Sequence, residues 1–151
     1  MVATDEQTEG RGRLGRTWHA PAGSSLLFSI VLEPAVAPDR LPELSLVAGA
    51  AVAEAIRSET GLETSVKHPN DVLVGGRKAA GILAESAEGR VVLGIGINVT
   101  QSRDELPGDA DPKATSLALE GARVDRSELL ASVLEQLERH YDRWVTSTRG
   151  T

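Results

Sequence analysis

The chain has 151 residues, with 16 Lys+Arg against 22 Asp+Glu, for a formal net charge of −6. That length suits one domain with a real core, and the acidic balance argues against coating nucleic acid or anionic membrane, so any anion site must rest on a local concentration of base. The absence of cysteine excludes a disulfide framework, a thiolate zinc site and a cysteine nucleophile, and suits a reducing compartment, the cytoplasm being the expected one.

Residues 1–6 show neither a basic nor an apolar leader region, so no signal peptide is read there. Asp5 to Ser25 is rich in Gly, Arg, Thr and Pro, lacks any period of 2 or 3.6, and reads as a long loop of the kind that is usually functional or disordered. Leu26 to Leu32 is a nearly continuous apolar run closed by Glu33-Pro34, which predicts a buried strand. After the Pro-broken linker Pro34 to Pro42, the segment Glu43 to Thr60 places Leu44, Val47, Ala48, Ala51, Val52, Ala55 and Ile56 at helical spacing and ends at Gly61. Its alanines and Gly49 would let that helix lie close on a sheet. The longest apolar stretch, Leu44 to Ile56, is broken by Ser45 and Glu54 and falls well short of the ~20 residues that span a bilayer.

Val66-Lys67-His68 reads as the end of a strand, stopped by Pro69-Asn70-Asp71. Val72 to Val74, Gly75-Gly76 and Arg77 to Glu85 form a hairpin signature, because paired glycines supply the positive φ angles of a two-residue turn. Arg90 to Val99 is a further strand, and Thr100 to Lys113 an acidic loop whose Asp104 to Asp111 carboxylates read as solvated. Asp125 and Glu128 form a capping box ahead of Leu129, Leu130, Val133, Leu134, Leu137, Tyr141 and Trp144, which predicts a long closing helix. The order predicts an α+β fold with a mixed, largely antiparallel sheet packed by helices.

The densest chemical signal is Gly10-Arg11-Gly12-Arg13-Leu14-Gly15-Arg16-Thr17-Trp18. It spells G-x-G-x-x-G and nearly spells a phosphate loop, but both patterns need a preceding strand and a following helix, which Asp5 to Glu9 and Pro21 with Gly23 deny. What survives is physical. Glycines let backbone N–H groups turn inward into an anion-binding hollow, and Arg11, Arg13 and Arg16 add planar bidentate donors for phosphate. A solvated basic loop or an Arg-Gly nucleic-acid contact would also explain the composition.

Strand phase puts Lys78 on one face with Ala80, Ile82 and Ala84, and Arg77, Ala79, Gly81, Leu83 and Glu85 on the other. An ammonium aimed along an apolar face needs an anion, from a carboxylate or a ligand; a surface lysine on the hairpin edge is the plainer alternative. In the strand Val91 to Val99 the odd positions are apolar, while Gly94, Gly96 and Asn98 share the other face. Glycines there mark close approach by another group, a packed helix or a ligand, and Asn98 favours the ligand. His19, His68 and His140 share no metal-ligand spacing, and no metal is assigned to protein side chains.

Gln7-Thr8-x-Gly10-Arg11-Gly12-Arg13-x-Gly15-Arg16-x-Trp18, Lys67-x-Pro69-Asn70-Asp71, Lys78-x-x-Gly81-Ile82-Leu83-x-Glu85, Gly94-x-Gly96-Ile97-Asn98 and Ala114-Thr115-Ser116-Leu117 follow in an order that resembles biotin protein ligases. The resemblance implies the biotin–lipoate ligase catalytic domain, similar to class II aminoacyl-tRNA synthetases. It also implies a two-step reaction. Biotin and ATP with Mg2+ give biotinyl-5′-AMP, and a lysine of the biotin carboxyl-carrier domain of a carboxylase then takes the biotinyl group. The implied catalytic residues are Lys78, Arg11 and Arg13. The implied biotin contacts are Gln7, Arg11, Gly12, Arg13, Lys78, Gly81, Leu83 and Gly96, and the nucleotide contacts Arg11, Arg13, Arg16, Trp18, Asn70 and Asn98. No nucleic-acid or membrane partner is implied, and a homodimer is compatible.

His68 stands where that family usually carries Trp. The Ser-Thr-Asn segment, the small β-barrel domain and the winged helix of family members have no counterpart here, so the expectation is a catalytic domain over residues 1–151, truncated at both ends. The readings kept beside it are a catalytically weak biotin- or adenylate-binding fragment and, further off, a lipoate or octanoate ligase.

Overall fold

The computed structural model describes residues 1–11 and 20–149, the side chains of Thr148 and Arg149 excepted. Strands β1 (Val2–Thr4), β2 (Ser25–Leu32), β3 (Thr64–Lys67), β4 (Asp71–Val74), β5 (Arg77–Ala87) and β6 (Arg90–Asn98) form one sheet in the order β1-β2-β6-β5-β4-β3. Neighbouring strands all pair antiparallel; a parallel bridge joins Lys78 to Ala114. Helices α1 (Leu44–Thr60) and α2 (Arg126–Arg149) pack together on one face of the sheet. The α+β expectation holds.

Alternation builds the core. Leu26 and Phe28 of β2, Ile82 of β5 and Leu93, Ile95 and Ile97 of β6 meet Ala48, Ala51, Val52 and Ile56 of α1 and Leu129, Val133 and Leu137 of α2. Small residues let α1 approach closely: a Cβ on Gly49 would come within 3.2 Å of Val66 Cγ1. The helix stops at Gly61, whose φ of 75° is open to glycine at little cost. The Asp125 carboxylate accepts the Glu128 N–H at 3.0 Å, the N-cap half of the expected box. Among the described residues the aromatics serve packing. Phe28 is in the core, and Tyr141 and Trp144 meet edge-on, centroids 5.9 Å apart.

The Gly75-Gly76 turn has φ of 59° and 79°, as a two-residue hairpin joining Val74 to Arg77 requires. A second such turn, Glu88-Gly89 at φ 54° and 79°, joins β5 to β6, so β5 runs to Ala87 rather than Glu85. The linker contains a 3-10 turn at Pro38–Glu43, and the acidic loop one at Arg103–Glu105 fixed by a Ser102/Glu105 capping box.

Lys78 departs from the expected face. Register runs from Val72↔Ala80 to Leu73↔Lys78, leaving Ala79 as an extra residue of β5. Ala79 and Ala80 are both buried in the core. A β-bulge shifts the alternation by one residue, and Lys78 therefore turns away from Ile82, onto the face bearing Gly81 and Leu83.

Candidate active site

The face of the sheet away from the helices floors a cleft of about 800 Å3. A smaller hollow of about 330 Å3, beside β1 and the start of α2, lacks the cation array described next. The large cleft's floor comes from β2, β6 and β5 in register: Leu27, Gly96 and Gly81 in one row, Ser29, Gly94 and Leu83 in the next. Glycine adds no bulk above the backbone, so the floor is deep where a bulkier residue would fill it. Gly94 has no helix against it; a Cβ there would meet only the Leu83 carbonyl oxygen at 3.6 Å and Ser29 Oγ at 3.8 Å.

Lys67, His68, Pro69, Asn70 and Asp71, at the β3–β4 turn, line one side of the cleft, and Leu106, Pro107 and Asp109 with Ala110 to Pro112 line it from the acidic loop. That loop is therefore a wall of the cleft and not simply a solvated excursion. Its closing end is tied down: Arg103 Nη1 donates to the Ala114 carbonyl at 2.6 Å.

Lys78 enters from β5. Its backbone is held on the side β6 has vacated, its N–H donating to Lys113 O at 2.8 Å and its carbonyl accepting from Thr115 N at 2.8 Å. Its Nζ lies 3.0 Å from Asp71 Oδ1, side chains 27% and 16% exposed, so the ammonium is half-sheltered and already in the company of a carboxylate. Sequence reading gave Asp71 no role. Its signal was its place at the end of the Pro69-Asn70-Asp71 turn, which the register sets opposite Gly81.

The segment that braces Lys78 is itself fixed by a buried polar seam. Asn98 Nδ2 donates to the Thr115 carbonyl at 3.0 Å, Gln101 Nε2 donates to Asn98 Oδ1 at 3.0 Å and to Ser25 Oγ at 2.6 Å, and Ser116 Oγ donates to the Gln101 carbonyl at 2.7 Å. Asn98, 4% exposed, thus borders the cleft with its side chain engaged inside the protein. Thr115 Oγ1 donates to Glu120, and Arg77 donates to both Glu120 oxygens at 2.6 and 3.0 Å. These hydrogen bonds, Arg77 first, hold the Glu120 carboxyl below the ordinary carboxylate range against the opposing effect of its burial.

Of the other expected residues, Gln7, Arg11, Gly81, Leu83, Gly96 and Asn70 all line the cleft. Asn70 Nδ2 donates to Ile82 O at 3.1 Å, fixing the turn against β5. Arg11 reaches Glu85 Oε1 at 2.9 Å through Nη2. Gly12, Arg13, Arg16 and Trp18 lie outside the described residues. Among the described residues no group of three or more His, Asp or Glu is arranged to hold a metal ion, and no helix is long and apolar enough to cross a membrane.

Residues 1–102 match the model of the biotin/lipoate A/B protein ligase family. The chain is 41% identical over 149 residues to the biotin–acetyl-CoA-carboxylase ligase of Mycobacterium tuberculosis, covering 95% of this chain and 54% of that protein. It is 38% identical over 152 residues to the bifunctional ligase/repressor BirA of Bacillus spizizenii, covering 97% and 47%. The solved structure of biotin protein ligase from Aquifex aeolicus in complex with biotin and ATP is similar with a TM-score of 0.83 at 35% identity, over 97% of this chain and 62% of that one. The chain spans about half the length of the curated relatives it matches.

Proposed function

The chain belongs to the biotin/lipoate A/B protein ligase family, and from that premise we propose that it joins biotin to a lysine of a biotin carboxyl-carrier domain, by way of biotinyl-5′-AMP, at the expense of MgATP. The observation that carries the reading is the glycine-floored cleft with Lys78 turned into it by the Ala79 bulge. The proposed compartment is the cytoplasm.

In the first step a biotin carboxylate oxygen attacks the α-phosphorus of ATP, and pyrophosphate leaves. Two anions must be held together, so the protein's contribution is positioning and charge stabilisation. Lys78, resting on Asp71, supplies a cation that needs no reorganisation from bulk water. Arg11, with Arg13 and Arg16, would hold phosphate oxygens through bidentate donors. The rings of biotin fit over Gly81, Gly94 and Gly96 beside Leu83, and Gln7 offers a polar contact at the rim. Asn70, whose Nδ2 is engaged, keeps Oδ1 for a nucleotide donor, while Asn98 acts through the seam that braces Lys78. Gly12 and Trp18 enter the proposal from the motif alone. In the second step the neutral amine of the acceptor lysine attacks the acyl carbon, AMP leaves, and the amine loses its proton to solvent. The mixed anhydride has to be kept from water meanwhile, which a covered cleft does.

Incubation with biotin, MgATP and a carrier domain tests the reading, with mass spectrometry following biotinyl-5′-AMP and labelled acceptor. Both should form. Binding of biotin without pyrophosphate release would reduce the chain to a binding fragment, and preferential use of lipoate in competition would move it to the other branch of the family.

A further inference from the structure

The reading above leaves Glu85 unused, although it stands on the cleft face of β5, opposite Val92 and on the same side as Gly81 and Leu83. Its Oε1 accepts from Arg11 Nη2 at 2.9 Å, across 74 positions of sequence. The two side chains are 47% and 69% exposed, and an ion pair so open to solvent contributes little to folding. Its consequence is local: the one cleft-lining arginine among the described residues is placed above the glycine floor by a carboxylate rooted in a paired strand. One donor of the guanidinium is engaged in this contact, and a guanidinium has five, so the rest stay available to an anion entering the cleft.

We infer that Glu85 is a positioning residue, which acts through Arg11 by holding its guanidinium over the cleft floor before the nucleotide arrives. The alternative for the same contact is competition, in which Glu85 must be displaced before Arg11 can bind phosphate. A solvent-screened contact through a single donor is a weak competitor against a polyphosphate, whereas the same contact suffices to limit where a flexible side chain stands. Removing Glu85 should therefore weaken nucleotide capture rather than strengthen it. The inference rests on the proposed function for what the arginine receives, and on geometry alone for what holds it.

The test uses the full chain carrying Glu85→Ala, Glu85→Gln and Arg11→Ala, singly and combined. Limited trypsin digestion with mass spectrometry reads the Arg11–Gly12 bond, whose cleavage needs the guanidinium to leave Glu85 and enter the protease. Glu85→Ala should speed that cleavage about 2- to 5-fold, the range an exposed ion pair supports, with Glu85→Gln between it and the parent and the Arg123–Val124 bond as an unaffected control. Steady-state adenylation should show KM for MgATP raised by a similar factor with kcat unchanged, and no further effect of Glu85→Ala when Arg11 is already alanine. An unchanged Arg11–Gly12 rate, a lowered KM, or a Glu85→Ala effect that persists in full without Arg11 overturns the assignment. A parent chain that forms no biotinyl-5′-AMP overturns the proposed function instead, and the digestion still decides Glu85.

Discussion

At Lys78 and Asn98 the cleft separates chemistry from support. Lys78 is half-sheltered, paired with Asp71, and fixed through its backbone on both sides. Lys78→Ala is expected to lower the adenylation rate about 10²-fold or more, the usual cost of removing a donor aimed at developing charge, and to lower stability as well by about 1–3 kcal/mol, because it strands the sheltered Asp71 carboxylate. Wild-type adenylation in that variant would refute its role. Asn98→Ala should act on stability: it leaves the buried Thr115 carbonyl without its donor and one N–H of the Gln101 amide without an acceptor, the amide keeping Ser25 Oγ, at a cost of about 1–3 kcal/mol in denaturant unfolding. Part of this was legible. The alternation of Gly94, Gly96 and Asn98 against the apolar odd positions from Val91 to Val99 marks a face open to close approach by a helix or a ligand, but periodicity has no means of showing whether a polar residue on that face points its atoms at a ligand or at the Thr115 loop.

Among the elements, β5 decides the site. The Gly75-Gly76 hairpin could be read from the chain because both turn residues need positive φ. The bulge at Ala79 could not, since Ala-Ala carries no sign of which alanine is extra, and the strand-phase expectation put Lys78 on the wrong face. Deleting Ala79 tests this element: with the extra residue gone the register becomes regular and Lys78, two positions from Gly81, stays on the cleft face, so the deletion should retain adenylation, and its loss would show that the bulge does more than set the face of Lys78. The floor can be tested at Gly94, where an added Cβ meets neighbours at ordinary contact distance. Gly94→Leu should therefore fold yet raise KM for biotin at least tenfold by filling the cleft, a change in affinity of about 1.4 kcal/mol or more; unchanged KM would show that the ring system lies elsewhere.

For the molecule as a whole, stability and function occupy opposite faces of one sheet. The helix side holds Leu93, fully buried among α1 and α2, and Leu93→Ala should cost about 2–5 kcal/mol in urea unfolding. The cleft side depends on the tie between the β4–β5 hairpin and the Thr115 segment through Arg77 and Glu120. Because Arg77 and Thr115 hold the Glu120 carboxyl below its usual value of 4.5, this pairing stabilises the fold above that value and is lost as pH falls through the lowered one. Acid titration of Glu120→Gln should thus show a shallower loss of stability below pH 4.5 than the parent; identical acid limbs would show the tie to be idle.

The sequence by itself determined the two helices, the strand order along the chain, the hairpin glycines, and the family through its ordered motifs, because each of these is written in local spacing or local backbone demand. It also placed Glu85 on the face of Gly81 and Leu83, where the strand runs without interruption. Only the tertiary structure decided where the local rules stop: which face Lys78 takes after the bulge, that Asp71 is its companion, that the acidic loop walls the cleft, and that Asn98 is consumed by a buried seam. Those outcomes depend on pairings between residues far apart in the chain. The net charge of −6 could not reveal them, since what an anion would meet in the cleft is set by Lys78, Arg11 and the carboxylates that hold them.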